Sequence, residues 1–157
     1  MVSTMTDLKS LLAPISIFVK QLDLQDPKAA EAALNRKWPE TSPEVAALRT
    51  AALAALRSGA ICTKENGGIK FSRVLKPEHD AGGCSIDAVA MKDCSGPVHT
   101  HTKGEVCFCI QTEGTPAFEG RTDTWVVMRS GSRHMPTVQG GAMLILYWWP
   151  EGAVEWK

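Results

Sequence analysis

The sequence lacks an excess of either charge: 17 Lys+Arg stand against 17 Asp+Glu in 157 residues. That balance argues against nucleic acid and anionic lipid as main partners, since both are held by an electrostatic surplus. Long apolar runs are also missing. The longest, residues 142–149, falls far short of the roughly 20 residues that span a bilayer, so no membrane helix is expected. Near the start, Asp7 and Lys9 interrupt what would be the apolar part of an export leader, and no small-residue cleavage site follows. The cysteines number five, which cannot all pair within one chain. Reduced thiols and a cytoplasmic location are therefore the expectation. Neither low complexity nor an internal repeat is visible, and the length suits one domain with its own core.

What is present changes character near Gly59. Over residues 6–58 the apolar positions follow a helical period: Leu8, Leu11, Leu12, Ile15, Phe18, Val19 and Leu22 form one stripe. Pro14 lies within it and should delay or kink that helix. Asp26-Pro27 reads as an N-cap with proline at the first helical position, and Trp38-Pro39 as the end of a second helix. Ser42-Pro43-Glu44 repeats the start signal, Val45, Leu48, Ala52, Ala55 and Leu56 make the next stripe, and Gly59 stops it. Three short helices are predicted in a segment 1–59, packed on the remainder or on a second copy of the chain.

Residues 60–157 read as short strands with period-two alternation. Asn66-Gly67 marks a hairpin before the run 69–75. Turn clusters follow at 92–97, 102–104, 112–115, 119–123, 129–132 and 139–141, separating strands at 84–91, 105–111, 125–128, 135–138, 142–149 and 153–156. The predicted fold is mainly β: a single antiparallel, jelly-roll-like β-barrel or sandwich with an N-terminal helical segment.

Three of the four histidines fall in two places. His99 and His101, two apart on a strand, leave the same face, and Glu105 follows just beyond a turn. His134 comes three residues after Gly131 and should open the next strand. Two imidazoles and a carboxylate from one hairpin, with a third imidazole from elsewhere, make a mixed nitrogen and oxygen set. Such a set suits one divalent transition metal (iron, manganese, nickel, copper or zinc) and leaves positions for water or substrate. His79, in a polar loop beside Pro77, reads as a solvated residue.

These spacings resemble the cupin superfamily, whose small barrel binds metal through the pair of motifs G-x5-HxH-x3-E and P-x-G-x2-H. Here His99, His101 and Glu105 match the first, without the glycine six before His99, and Gly131 and His134 match the second, with Arg129 in place of proline. A narrower likeness spans nearly the whole chain. The blocks DPKAAEAALN, CSIDAVAM, HTHTKGE, FEGR, WVVMRSGSRHMPTV and GGAMLILY are together similar to the bacterial 4-hydroxylaminobenzoate lyase family. The resemblance implies a metal-dependent lyase that converts 4-hydroxylaminobenzoate to protocatechuate (3,4-dihydroxybenzoate) with release of ammonia, in nitroaromatic degradation.

On that reading the ligands are His99, His101, Glu105 and His134. Glu105 and His134 carry the catalytic centre; Glu105 is a ligand or a proton carrier, with the ligand role preferred. The substrate is a flat aryl acid whose carboxylate needs a cation. Arg133 and Arg129 are the candidates, with Arg73 and Lys103 behind them. Trp125 and Tyr147 are candidate ring-stacking residues. Trp148 and Trp149 alternate on one strand, so at most one of them reaches a pocket. Cys107 and Cys109 share strand parity with Glu105 and read as small apolar fillers. A homodimer is expected from the helical appendage and strand aromatics. Another small-molecule cupin enzyme, a dioxygenase or isomerase, and a non-catalytic ligand-binding cupin remain as alternatives.

Overall fold

Helix punctuation in the N-terminal third follows local chemistry. The computed structural model describes residues 4–77 and 83–156, so His79 lies outside the described residues. Helix α1 (Thr4–Val19) runs on through Pro14, which is exposed, where the sequence predicts a delayed start or a kink. Helix α2 (Pro27–Lys37) is capped by Asp26, whose carboxylate accepts from the Ala29 amide at 3.2 Å. Helix α3 (Pro43–Ser58) starts on Ser42, whose hydroxyl accepts from Val45 N at 3.2 Å, and stops at Gly59 with φ +79°.

The rest of the described chain forms strands β1 (Lys64–Asn66), β2 (Ile69–Leu75), β3 (Cys84–Ser95), β4 (His99–His101), β5 (Glu105–Phe118), β6 (Trp125–Met128), β7 (Ser132–His134), β8 (Thr137–Pro150) and β9 (Glu155–Trp156). They build two antiparallel sheets, ordered β1-β2-β3-β8-β5-β6 and β7-β4-β9. The mainly β class with three helices is as expected. The strands make a jelly-roll-like sandwich whose two sheets are not hydrogen-bonded into one closed barrel. Among the described residues no helix is long and apolar enough to cross a membrane.

Three clusters that read as turns lie inside long strands instead. At 92–94, 111–113 and 114–117 the pairing slips by β-bulges, so β3, β5 and β8 continue through the glycines and polar residues that suggest breaks. Asp93 stands at φ +43° and its carboxylate accepts from Gly140 N at 2.7 Å and Gly141 N at 3.3 Å, tying two bulges together. Gly141 has φ +149°, and a Cβ there would meet Glu113 O at 2.1 Å, so only glycine lets these strands approach.

Alternation along the long strands sorts side chains to two faces of the larger sheet. Ile86, Ala88, Val106, Phe108, Leu144, Leu146 and Trp148 join the helical stripe Leu8, Leu12, Ile15, Leu34, Leu48 and Ala52 in one buried cluster. Cys107, Cys109, Val126, Met143 and Ile145 face the other way and form a second cluster with Phe118 and Val138. Each fully buried large side chain stabilises this arrangement by about 1.5–3 kcal/mol. Polar links orient the helices on the sheet. Glu31 accepts from Arg121 at 2.7 and 3.0 Å and from Val127 N at 2.8 Å, and Trp148 Nε1 donates to Ser16 Oγ at 3.0 Å.

Candidate metal centre

The three-residue strand β4 places His99 and His101 on one face, because alternate residues of a strand share a side. Antiparallel β7 sets His134 directly across from His99 and Ser132 across from His101. His134 therefore closes β7 rather than opening the strand after it. The turn before β5 is made at Gly104, φ +91°, where a Cβ would press to 2.7 Å from the Leu24 side chain, and it delivers Glu105 to the same spot. The imidazole centroids lie 4.6–4.9 Å apart. One ligand atom from each of His99, His101, Glu105 and His134 falls within 4.8 Å of the others. Ligand atoms about 2.1 Å from one ion lie about 3–4 Å apart, so these four atoms are near enough together to be drawn onto a single ion.

The hydrogen bonds around the rings give the chemistry of the set. His99 Nδ1 faces the Pro97 carbonyl at 3.0 Å and His134 Nδ1 faces Glu119 Oε1 at 2.9 Å; both partners accept, so these nitrogens carry the proton and donate it. His101 Nδ1 meets Ser132 Oγ at 3.2 Å. All three Nε2 atoms turn inward. His101 Nε2 lies 2.9 Å from His99 Nε2 and 3.2 Å from Glu105 Oε2, and a single proton can serve only one of those contacts. His134 Nε2 is buried and has no hydrogen-bond partner among the described residues. Inward lone pairs held by outward donors are the arrangement of imidazoles that ligate through Nε2, and the residues fit a divalent cation.

Ionisation agrees with that role. Burial pushes the pKa values of His99 and His134 below the ordinary imidazole value, which keeps both rings neutral and able to ligate. Burial opposes charge on Glu105, yet the hydrogen bond from His101 favours it, and the carboxyl is held below its usual range. Glu105 is also pinned from outside: Trp149 Nε1 donates to Oε1 at 2.7 Å and the Cys107 thiol to Oε2 at 3.3 Å. Burial and the Glu105 charge raise the Cys107 thiol well above its ordinary value, and burial raises Cys109, so both are neutral, closely packed groups.

A cavity of about 180 Å³ adjoins the centre, with His99 and Glu105 on its lining and Phe71, Phe118, Tyr147, Trp149 and Trp156 among its walls. An apolar cavity of roughly 150 Å³ admits a benzene ring, so this one has room for a single substituted ring. Tyr147 is on the wall, as the stacking reading requires, and Trp149 rather than Trp148 reaches it.

Three other expectations are corrected. Trp125 faces the helices, paired across from Phe108 with its indole N–H on the Trp38 carbonyl at 3.0 Å. Arg133 is exposed and leaves β7 on the side opposite His134, since consecutive strand residues alternate faces. Arg129 is likewise exposed, and neither arginine lines the cavity. The reserve candidates are engaged elsewhere, Arg73 with Asp87 and Lys103 with Glu151. No Lys or Arg is among the described residues lining the cavity, so the cation expected for a substrate carboxylate does not come from them.

Sequence reasoning missed Glu119, Ser132 and the Trp149 hydrogen bond. Glu119 carries no motif and lies 15 residues from the ring that it orients. Ser132 had one available signal, its place two residues before His134 on the same face of one strand.

The family model described as PnbB, 4-hydroxylaminobenzoate lyase, matches residues 13–156. No curated protein matches the chain. Among solved structures, the DMSP lyase DddQ from Ruegeria pomeroyi DSS-3 is 21% identical with a TM-score of 0.46, over 71% of this chain and 68% of that one. An RmlC-like cupin protein from Ralstonia eutropha JMP134 is 15% identical with a TM-score of 0.41, over 54% and 57%. An acetylacetone dioxygenase from Acinetobacter johnsonii is 16% identical with a TM-score of 0.41, over 54% and 61%. The chain thus spans less than two thirds of the length of the last two.

Proposed function

The chain belongs to the 4-hydroxylaminobenzoate lyase family, and on that premise we propose that it is a metal-dependent lyase converting 4-hydroxylaminobenzoate to 3,4-dihydroxybenzoate. Water is consumed, ammonia leaves, and the overall redox state is unchanged. The observation that carries this reading is the convergence of three inward Nε2 atoms and one carboxylate beside an apolar cavity of one-ring size.

A divalent metal held by His99, His101, Glu105 and His134 would supply Lewis acidity toward the N-hydroxyl oxygen or a water molecule. The protein's own groups divide the remaining work. Glu105, ionised and fixed by Trp149, serves as a ligand rather than a proton carrier. Aromatic walls hold the ring and keep bulk water from it. Burial raises the Tyr147 hydroxyl well above its ordinary pKa, and the Asp87 carboxylate paired across from it pushes the same way, so the phenol stays protonated. With no cationic side chain on the described lining, the neutral amide of Asn66 is a donor for the carboxylate. The neutral thiol of Cys107 is no nucleophile.

The test is direct. Purified protein reconstituted in turn with Fe(II), Mn(II), Ni(II), Cu(II) and Zn(II) should release ammonia and 3,4-dihydroxybenzoate in equal amounts from 4-hydroxylaminobenzoate. No turnover with any of these metals overturns the proposal. Oxygen uptake in step with product would assign a dioxygenase instead.

A further inference from the structure

Four of the five tryptophans are buried: Trp38, Trp125, Trp148 and Trp149 are each no more than 7% exposed. Trp156 is 58% exposed, although it lines the cavity. Its strand, β9, pairs with β4 so that Trp156 stands across from His99. The indole lies 5.3 Å from the His99 ring and 5.9 Å from the Trp149 ring, centroid to centroid. Part of a large apolar ring therefore remains uncovered at a cavity sized for one more ring. A tryptophan that served only to fill the core would be enclosed like the other four, whereas one that receives a ligand keeps a surface free.

We propose that Trp156 is a specificity-determining residue, its indole packing against the flat ring of an aryl substrate in the cavity and selecting planar over puckered rings. The inference rests on the aryl-acid reading above and deepens it. Because much of the side chain is already exposed, truncating it removes little buried area, and a substitution there tests recognition more than folding.

The experiment uses Zn(II)-loaded full-length protein and two unreactive acids, benzoate and cyclohexanecarboxylate, titrated by calorimetry. Both carry the same carboxylate, so their difference reports the ring alone. Wild type should prefer benzoate, and Trp156→Ala should weaken benzoate about five- to tenfold while leaving cyclohexanecarboxylate nearly unchanged. Trp156→Phe should restore most of the preference, and bound zinc should remain stoichiometric in both variants. The inference is overturned if wild type fails to bind benzoate or shows no preference, if Trp156→Ala keeps the preference, or if that variant loses zinc, which would make Trp156 a support for His99. Ammonia release from 4-hydroxylaminobenzoate is measured separately. A Trp156-dependent preference without turnover removes the lyase reading alone, and turnover without that preference removes this inference alone.

Discussion

Trp149 Nε1 donates to Glu105 Oε1 at 2.7 Å, reaching from β8 to the first residue of β5. The bond occupies one carboxylate oxygen and leaves Oε2 toward the histidines. Trp149→Phe keeps an aromatic ring and removes the donor, at a cost of about 1.5–3 kcal/mol for a hydrogen bond to a charged group. Metal affinity should fall by roughly 10- to 100-fold. Competition against a chelator measures it, and an unchanged affinity would contradict a supporting role for the indole.

His99→Ala and His134→Ala should each lose stoichiometric metal, because each removes an inward Nε2 from the group. Arg133→Ala is the control: its exposed side chain lies outside the cavity lining, and metal content should match wild type. Elemental analysis of the three variants decides this. Metal retained by both histidine variants would put the ion elsewhere.

The pH dependence of the metal-free protein follows from burial of His99 and His134. Their folded pKa values lie below the ordinary 6.5, so near and below that pH the unfolded chain binds more protons than the folded one. The stability that they contribute is present above pH 6.5 and declines as pH falls toward the folded values. Thermal unfolding from about pH 7.5 to about pH 5 should show Tm dropping, and a double His99→Ala, His134→Ala variant should show a shallower fall. Equal slopes would refute the assignment.

Glu31 joins α2 to the sheet through Arg121 and the Val127 amide. Glu31→Ala removes all three bonds and should destabilise the protein by about 2–4 kcal/mol. Glu31→Gln, which keeps an acceptor, should lose less. Urea unfolding gives both values, and indistinguishable variants would mean that packing alone docks the helix.

Much of this was legible because the signals were local. Asp26, Ser42 and Gly59 cap helices through bonds to residues within four positions, and Asn66-Gly67 turns its hairpin whatever surrounds it. The spacing of His99, His101 and Glu105 is local too. Illegible features depended on distant partners. Glycines at 114, 140 and 141 suggest turns until the neighbouring strand shows that they permit bulges. Trp125 could be assigned to a face only once its pairing with Phe108 was known. Arg133 is different: strict alternation already sets it opposite His134, and its closeness in sequence concealed that.

The outward contacts of the imidazoles carry a last consequence. Pro97, Ser132 and Glu119 each contact a ring at its Nδ1 atom, so the polypeptide itself sets where each Nε2 points. An ion bound there would meet rings already oriented by the polypeptide, so ions of similar radius would compete for the same nitrogens and carboxylate.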